Sequence, residues 1–546
     1  MTRVGLYGMA GLSMWIVAAG CGDKDTATAT DSDSDSDATA ATSSDTGDDT
    51  ETGDTTGEPF IPIPARDVVI TKVEANSGVA VPIGLDGGEV PGALRNAYLP
   101  ARRDTLIRPY LDVGDNWLPR DIEGRLTLVY LDGSTKEYSD VRNVTRDTRE
   151  SELTSGPIFG VVAEDVVPGV RYFITLWEAA PGQEDIPEPD PAPRFPAESQ
   201  AAVGIEDSYQ KLRVTVVPVA YDFGACQATV DMEEWGPRLE EALYQENGAD
   251  EVEIIAHAPL PITYDLGQFS GLNKLVNDMS DLREAEGAPP WMYYYALFDS
   301  CNKCISSGDG PAGGCTVGLA AGIPNESKQG AYLRASAGQL RNPNGNDTED
   351  TFVHEVGHTQ GRRHIYCPNG GAAGTDPSFP YEGGVIGVWG FGVRDFRLRH
   401  PTANTDYMSY CGPTWCSDWQ WNATYERIRT LSLWELEDAP EGDPKPGLLV
   451  GSVSPAGDSE WWTARGDLEG VPRSAAHRVR FVVDGQVIEQ TAAVHERDHG
   501  ATVTIAAPLP PGFSGDEDVV YLGDGRTLPV VIPEDRRHHD RAARAR

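Results

Sequence analysis

The chain has 546 residues, 85 of them acidic and 44 basic, for a formal net charge of −41. That length is more than one small core needs and predicts two or three domains. The charge excludes nucleic acid and anionic membrane surfaces as primary partners.

The first predicted element is a processing signal at residues 1–21. Arg3 supplies a short positive region, and Val4 to Ile16 form an apolar run too short to span a bilayer. Ala18-Ala19-Gly20-Cys21 then resembles a bacterial lipobox. The resemblance implies lipidation of Cys21, which becomes the mature N-terminus and anchors the protein to a membrane. From Gly22 to Pro59 the chain is mostly Thr, Ser, Ala, Gly and Asp. Such a composition cannot bury enough surface to offset ordering, so residues 22–62 are expected to be a solvated, self-repelling tether. The expected location is the bacterial outer membrane or cell surface, with release also open. Gly22 rather than Asp after the cysteine argues against retention at the inner membrane.

Residues 63–195 alternate like strands between turns, as in Asp67 to Val73, Arg125 to Leu131 and Tyr172 to Trp177. No long 3.6-residue pattern interrupts them, which predicts a β-sandwich. Pro187 to Pro196 is a proline-rich acidic break and a natural linker.

From 205 to 440 strands and helices alternate. Strands are predicted at Leu212 to Val219, Val252 to Ala256 and Trp291 to Phe298. Helices are predicted at Met232 to Asn247, Leu272 to Glu286, about 348 to 360, and Ala423 to Glu437. The third helix carries His354-Glu355-Val356-Gly357-His358-Thr359-Gln360-Gly361-Arg362-Arg363-His364. Residues four apart share a helical face, so His354 and His358 can turn toward one metal. Gly361 lets the backbone leave the helix in a conformation that a side chain resists, which swings His364 back. Three imidazoles leave one position open for water, and Glu355 beside them can take that water's proton. Asn346 to Glu349 forms a capping box ahead of the helix. Asn342 to Asp347 could offer oxygens to Ca2+, but the run is better explained as the turn feeding that box.

This motif resembles that of the metzincin clan of zinc endopeptidases, defined by the same pattern and a downstream methionine turn. Thr405-Asp406-Tyr407-Met408-Ser409-Tyr410-Cys411 supplies a candidate for the turn. The resemblance implies one catalytic Zn2+ held by His354, His358 and His364, with Glu355 as the base. It places Met408 beneath the metal as an apolar floor. Tyr410 matches the offset at which astacins and serralysins carry a tyrosine that binds zinc or stabilises the tetrahedral intermediate. Ile365 matches none of the astacin, matrixin, adamalysin or serralysin patterns, so no subfamily is assigned. The implied fold is an α+β metzincin-like catalytic domain, a twisted sheet over the active-site helix, flanked by two small β-sandwich domains.

A second motif of the same spacing, His495-Glu496-Arg497-Asp498-His499, lies between two β-branched alternating segments. It is expected to be a hairpin turn without metal. Cys226, Cys301, Cys304, Cys315, Cys367, Cys411 and Cys416 all fall within 205–440. In an exported protein they predict disulfides, with at least one of seven left over. Residues 445–535 return to β patterning, with Asp484-Gly485 as a hairpin signal and a second small sandwich expected. Residues 536–546 form a basic tail expected to be frayed.

The function these features predict is a surface-anchored or secreted, monomeric zinc endopeptidase acting on extracellular proteins or glycoproteins. The alternative from another class is an inactive protease-like adhesin or surface-binding module.

Overall fold

In the N-terminal region, hydrophobic residues two apart turn to one side and build two antiparallel sheets. One is ordered Gly88–Glu89, Ala80–Leu85, Val68–Asn76, Thr105–Val113, Phe159–Val161. The other runs Ala201–Ala202, Arg171–Glu178, Arg120–Val129, Thr135–Val144, with Arg194–Phe195 paired to Arg171–Glu178. Ile122, Leu126, Tyr172 and Ile174 of the second sheet share one buried core with Val73 and Val81 of the first. The computed structural model describes residues 60–538 except 191, 302, 306–314, 325–326, 342–346, 437–446 and 498–501. Cys21, the signal and residues 22–59 of the tether therefore lie outside the described residues. So do Asn342 to Asn346 of the calcium candidate and capping box, and the tail beyond His538.

The central sheet has seven strands around Lys211–Phe223. That strand pairs in parallel with Glu251–Ala256, Leu260–Ile262 and Tyr293–Phe298, and antiparallel with Cys226–Thr229. Tyr293–Phe298 pairs in parallel with Ala335–Gln339, which pairs antiparallel with Gly318–Ala320 at the end of the sheet. Four α-helices are found among the described residues: α1 (Met232–Glu246), α2 (Phe269–Ala285), α3 (Asp347–Thr359) and α4 (Asp418–Leu436). Asp231 caps α1 by accepting from the Glu233 amide. The start of α4 lies five residues ahead of its predicted start, because Ser417 accepts from the Gln420 amide and Trp421 is buried in the core.

The core is continuous across these regions. Arg103 of the N-terminal region is fully buried and donates from Nε to Ser77 O (2.8 Å), from Nη1 to Ala249 O (3.2 Å), and from Nη2 to Tyr244 O. Its guanidinium lies over the rings of Tyr244 and Trp421. Trp415 Nε1 donates to Gly78 O (2.9 Å), and the Ala80 amide to Trp389 O (2.8 Å). From Phe60 onward the chain is a single compact unit.

The C-terminal strands form one seven-stranded antiparallel sheet, ordered Ser459–Arg465, Gly447–Val453, Val503–Pro508, Gln486–Glu496, Ser474–Val483, Asp518–Gly523, Arg526–Val530. Leu448, Val450 and Trp462 of this sheet pack in the same core as Leu272 and Leu275 of α2. Arg536 to His538 are not frayed: Arg536 pairs with Asp278, and buried His538 Nε2 lies 2.6 Å from Asp281 Oδ1.

The expected α+β metzincin-like domain between two small sandwiches is therefore corrected. Among the described residues the protein is mostly β-sheet, 38% strand against 18% helix, with a half-barrel sheet, and the metzincin-like helix-over-sheet fold is not shown. The C-terminal region is one sheet by strand pairing, and it folds over so that Leu449 and Trp461 share a core with Phe481 and Tyr521. The physical reason is that alternation specifies a half-buried strand but not what covers it. Here α1 shares the core enclosed by the two N-terminal sheets, and α2 covers one face of the C-terminal sheet.

Candidate metal centre

Helix α3 packs on Ala335–Gln339 and Gly318–Ala320 and ends in a Schellman motif. The Arg362 amide donates to Gly357 O (3.0 Å) and the Gly361 amide to His358 O (2.8 Å), with Gly361 at φ 89°. That reversal carries His364 back beside the two helical histidines. Nε2 of His358 lies 3.1 Å from Nε2 of His354 and 3.1 Å from Nε2 of His364, and all three side chains are buried.

The opposite ring nitrogens show why. His354 Nδ1 is 2.8 Å from Tyr407 O, His358 Nδ1 is 2.8 Å from Arg362 O, and His364 Nδ1 is 2.7 Å from Ala373 O. A carbonyl only accepts, so each Nδ1 carries the proton and, in the neutral rings, each Nε2 presents a lone pair inward. Three lone pairs at that spacing repel unless a cation lies among them. This cluster can hold a metal ion, and among the described residues it is the one group of His, Cys, Asp and Glu side chains so placed.

Glu355 is 1% exposed and its carboxylate lies over Gly318, where any side chain would collide with it. It lines a cavity of about 550 Å³ together with Thr316, Val317, His354, Thr351 and Tyr410. Met408 is fully buried, with its sulfur against Gly357, the residue just before His358 on α3. The Tyr410 hydroxyl lies 2.9 Å from His364 Nε2.

Several residues that organise this site were not picked out from the sequence. Asp406 accepts from the Met408 amide (3.0 Å) and from Ser417 Oγ (2.6 Å), and burial pushes its carboxyl up to about 6 against those bonds. The Ile365 amide donates to Met408 O (2.9 Å), tying the third-histidine segment to the methionine turn. Cys367–Cys411 closes the same two segments. Cysteine parity signals that such bonds exist but not which partners they join. Burial also raises the Asp350 carboxyl to about 6, with Glu349 and Asp347 adding to the effect.

The remaining cysteines form Cys226–Cys301 and Cys304–Cys315, leaving Cys416 as a buried thiol. Three disulfides fit an exported or extracellular protein. Among the described residues no helix is long and apolar enough to cross a membrane. His495 sits in Gln486–Glu496 opposite Thr504, with Nε2 2.9 Å from the Tyr332 hydroxyl, so it seats the C-terminal sheet on the central region. Asp498 and His499 lie outside the described residues.

No family model matches the chain, and no curated protein matches it. A solved structure described as a "putative beta-galactosidase from bacteroides fragilis" is similar at 10% identity, covering 85% of this chain and 73% of its own. Its TM-score is 0.12, a likeness that carries no argument about fold or function.

Proposed function

We propose that this protein is an exported zinc-dependent endopeptidase that hydrolyses extracellular proteins or glycoproteins. The observation that carries the reading is the convergence of three Nε2 lone pairs beside a buried carboxylate on an open cavity. Three imidazoles, with His358 Nε2 3.1 Å from Nε2 of each of the other two, suit the short bonds of tetrahedral Zn2+, which are about 2.0–2.1 Å. His354, His358 and His364 would hold the ion, and the carbonyls on each Nδ1 fix the rings for it. A relation to the metzincin clan rests on the motif and the methionine turn, without the clan's fold.

A bound zinc would supply Lewis acidity toward an attacking water and a peptide carbonyl. Glu355 takes a proton from that water as its oxygen attacks the carbonyl carbon. The same carboxyl then gives the proton to the amine as the C–N bond breaks. The Tyr410 hydroxyl, at the rim of the cluster, donates toward the oxygen that gains charge. Met408 excludes water from below. Lipidation at Cys21 would tether the body to the membrane through the acidic segment 22–62.

The test is metal analysis of the mature chain with cleavage profiling on a diverse peptide library, with and without chelator. About one zinc per chain and chelator-sensitive cleavage are expected, with Glu355→Gln retaining metal and losing turnover by a factor on the order of 10²–10⁴. Zinc without cleavage by the parent would sink the peptidase reading and favour a surface-binding module.

A further inference from the structure

Beneath α3, the strand Tyr293–Phe298 alternates its faces. Tyr293, Tyr295 and Leu297 join the core that holds Phe352, Val353 and Val356 of α3, while Tyr294, Ala296 and Phe298 join the core beside α2. The Tyr295 ring meets Phe352 edge-on, with centroids 4.8 Å apart. Nothing in such a setting requires a hydroxyl. Yet Tyr295 is fully buried and its hydroxyl has no hydrogen-bond partner among the described residues, a desolvation cost that phenylalanine would avoid. An orphaned buried donor of this kind calls for an explanation.

The hydroxyl reaches across the neighbouring strand and lies over Gly338, where a side chain would collide with it. Gly338 is the register partner of Gly318 in the antiparallel pair at the sheet's end. Over Gly318 lies the Glu355 carboxylate. The two glycines thus form one notch, with the phenol entering from one side and the carboxylate from the other. Adjacent strands are roughly 4.8 Å apart, so hydroxyl and carboxylate are separated by about one strand spacing with no Cβ atom in the notch between them. Burial raises the Tyr295 pKa well above its ordinary value, and the Glu355 charge adds to the rise, which keeps the phenol a donor.

We infer that Tyr295 is a positioning residue for Glu355: its hydroxyl donates to the carboxylate across one water and fixes which oxygen faces the cavity. One oxygen is then held from below. The other is left to take and return the proton. Gly318 and Gly338 are small because any side chain there would close this approach. The inference rests on the proposed function for its kinetic consequence, while the contact itself does not.

The experiment is Tyr295→Phe in the parent and in a Glu355→Gln background. In the parent, zinc content and KM should hold within about twofold, kcat should fall roughly tenfold, and the unfolding midpoint should stay level or rise. A merely packed tyrosine would leave kcat unchanged, and that result overturns the role. Across the four proteins, the midpoint shift caused by losing the hydroxyl should differ between the parent and the Glu355→Gln background. Additive shifts overturn the contact. If the parent shows no chelator-sensitive cleavage, the peptidase reading falls separately, and the stability cycle alone upholds or overturns the contact.

Discussion

The Tyr410 hydroxyl lies 2.9 Å from Nε2 of His364, on the side of the ring that faces the other two histidines. A group at that distance from a ligand atom can reach either the metal or a substrate oxygen. Tyr410→Phe should keep zinc content unchanged and lower kcat by roughly 10- to 100-fold with little change in KM, as measured by steady-state kinetics and metal analysis. Loss of zinc in this variant would make Tyr410 chiefly a ligand.

Cys367 and Cys411 are 44 residues apart, Cys367 three residues after His364 and Cys411 next to Tyr410, so their bond closes the loop that carries the methionine turn and ties it to the third-histidine segment. Loop-closure entropy for that length is worth roughly 4 kcal/mol. The double variant Cys367→Ser with Cys411→Ser should lower the unfolding midpoint and weaken zinc retention in competition with a chromogenic chelator. Unchanged retention would mean that the Ile365 to Met408 hydrogen bond suffices to hold the segment.

Gly318 gives the Glu355 carboxylate its place. Gly318→Ala should displace that carboxylate and cut kcat by about 10²-fold, while zinc content stays near one per chain. Parent-like turnover would show that Glu355 works from another rotamer.

Arg103 joins the N-terminal sheets to the end of α1 and to α4 through three backbone carbonyls and two aromatic rings. Arg103→Ala leaves buried acceptors without donors and should destabilise the fold by about 3–5 kcal/mol, read by denaturant unfolding. By the same argument, a chain begun at residue 205 should fail to fold rather than become more active. A soluble, active truncation would show that the N-terminal region is a removable prosegment.

Burial lowers the His495 pKa from 6.5 to about 4. Between those values the unfolded chain binds a proton that the folded chain does not. The contribution of His495 is therefore fully present above pH 6.5 and is lost as pH falls toward 4, by about 3 kcal/mol at most. His495→Gln should flatten the fall in unfolding midpoint between pH 6.5 and 4.5. A parallel fall in parent and variant would locate the acid sensitivity elsewhere.

Local elements and the chemical inventory of the site were legible from the residues alone. Spacings of 3.6 and 2.0 are properties of a single segment, so α3, α1, Lys211–Phe223 and Tyr293–Phe298 could be placed within a few residues. His354, His358 and Glu355 follow from helical spacing, and the need for Gly361 follows from the left-handed turn that brings in His364. His495 and Glu496 were expected in a turn and lie instead at the end of the strand Gln486–Glu496.

What those elements lie against was settled by folding in three dimensions. Alternation does not say what else a strand's buried face meets, so it did not show that the two N-terminal sheets share their core with α1 or that one face of the C-terminal sheet packs on α2. Nor does a residue's identity say which distant backbone it will touch. Tyr407 O orients His354, Asp406 shapes the methionine turn, Cys367 finds Cys411, and Gly318 opposes Gly338. Each depends on two segments meeting at short range after folding, and hydrogen bonds, disulfides and steric notches are set by that separation rather than by distance along the chain.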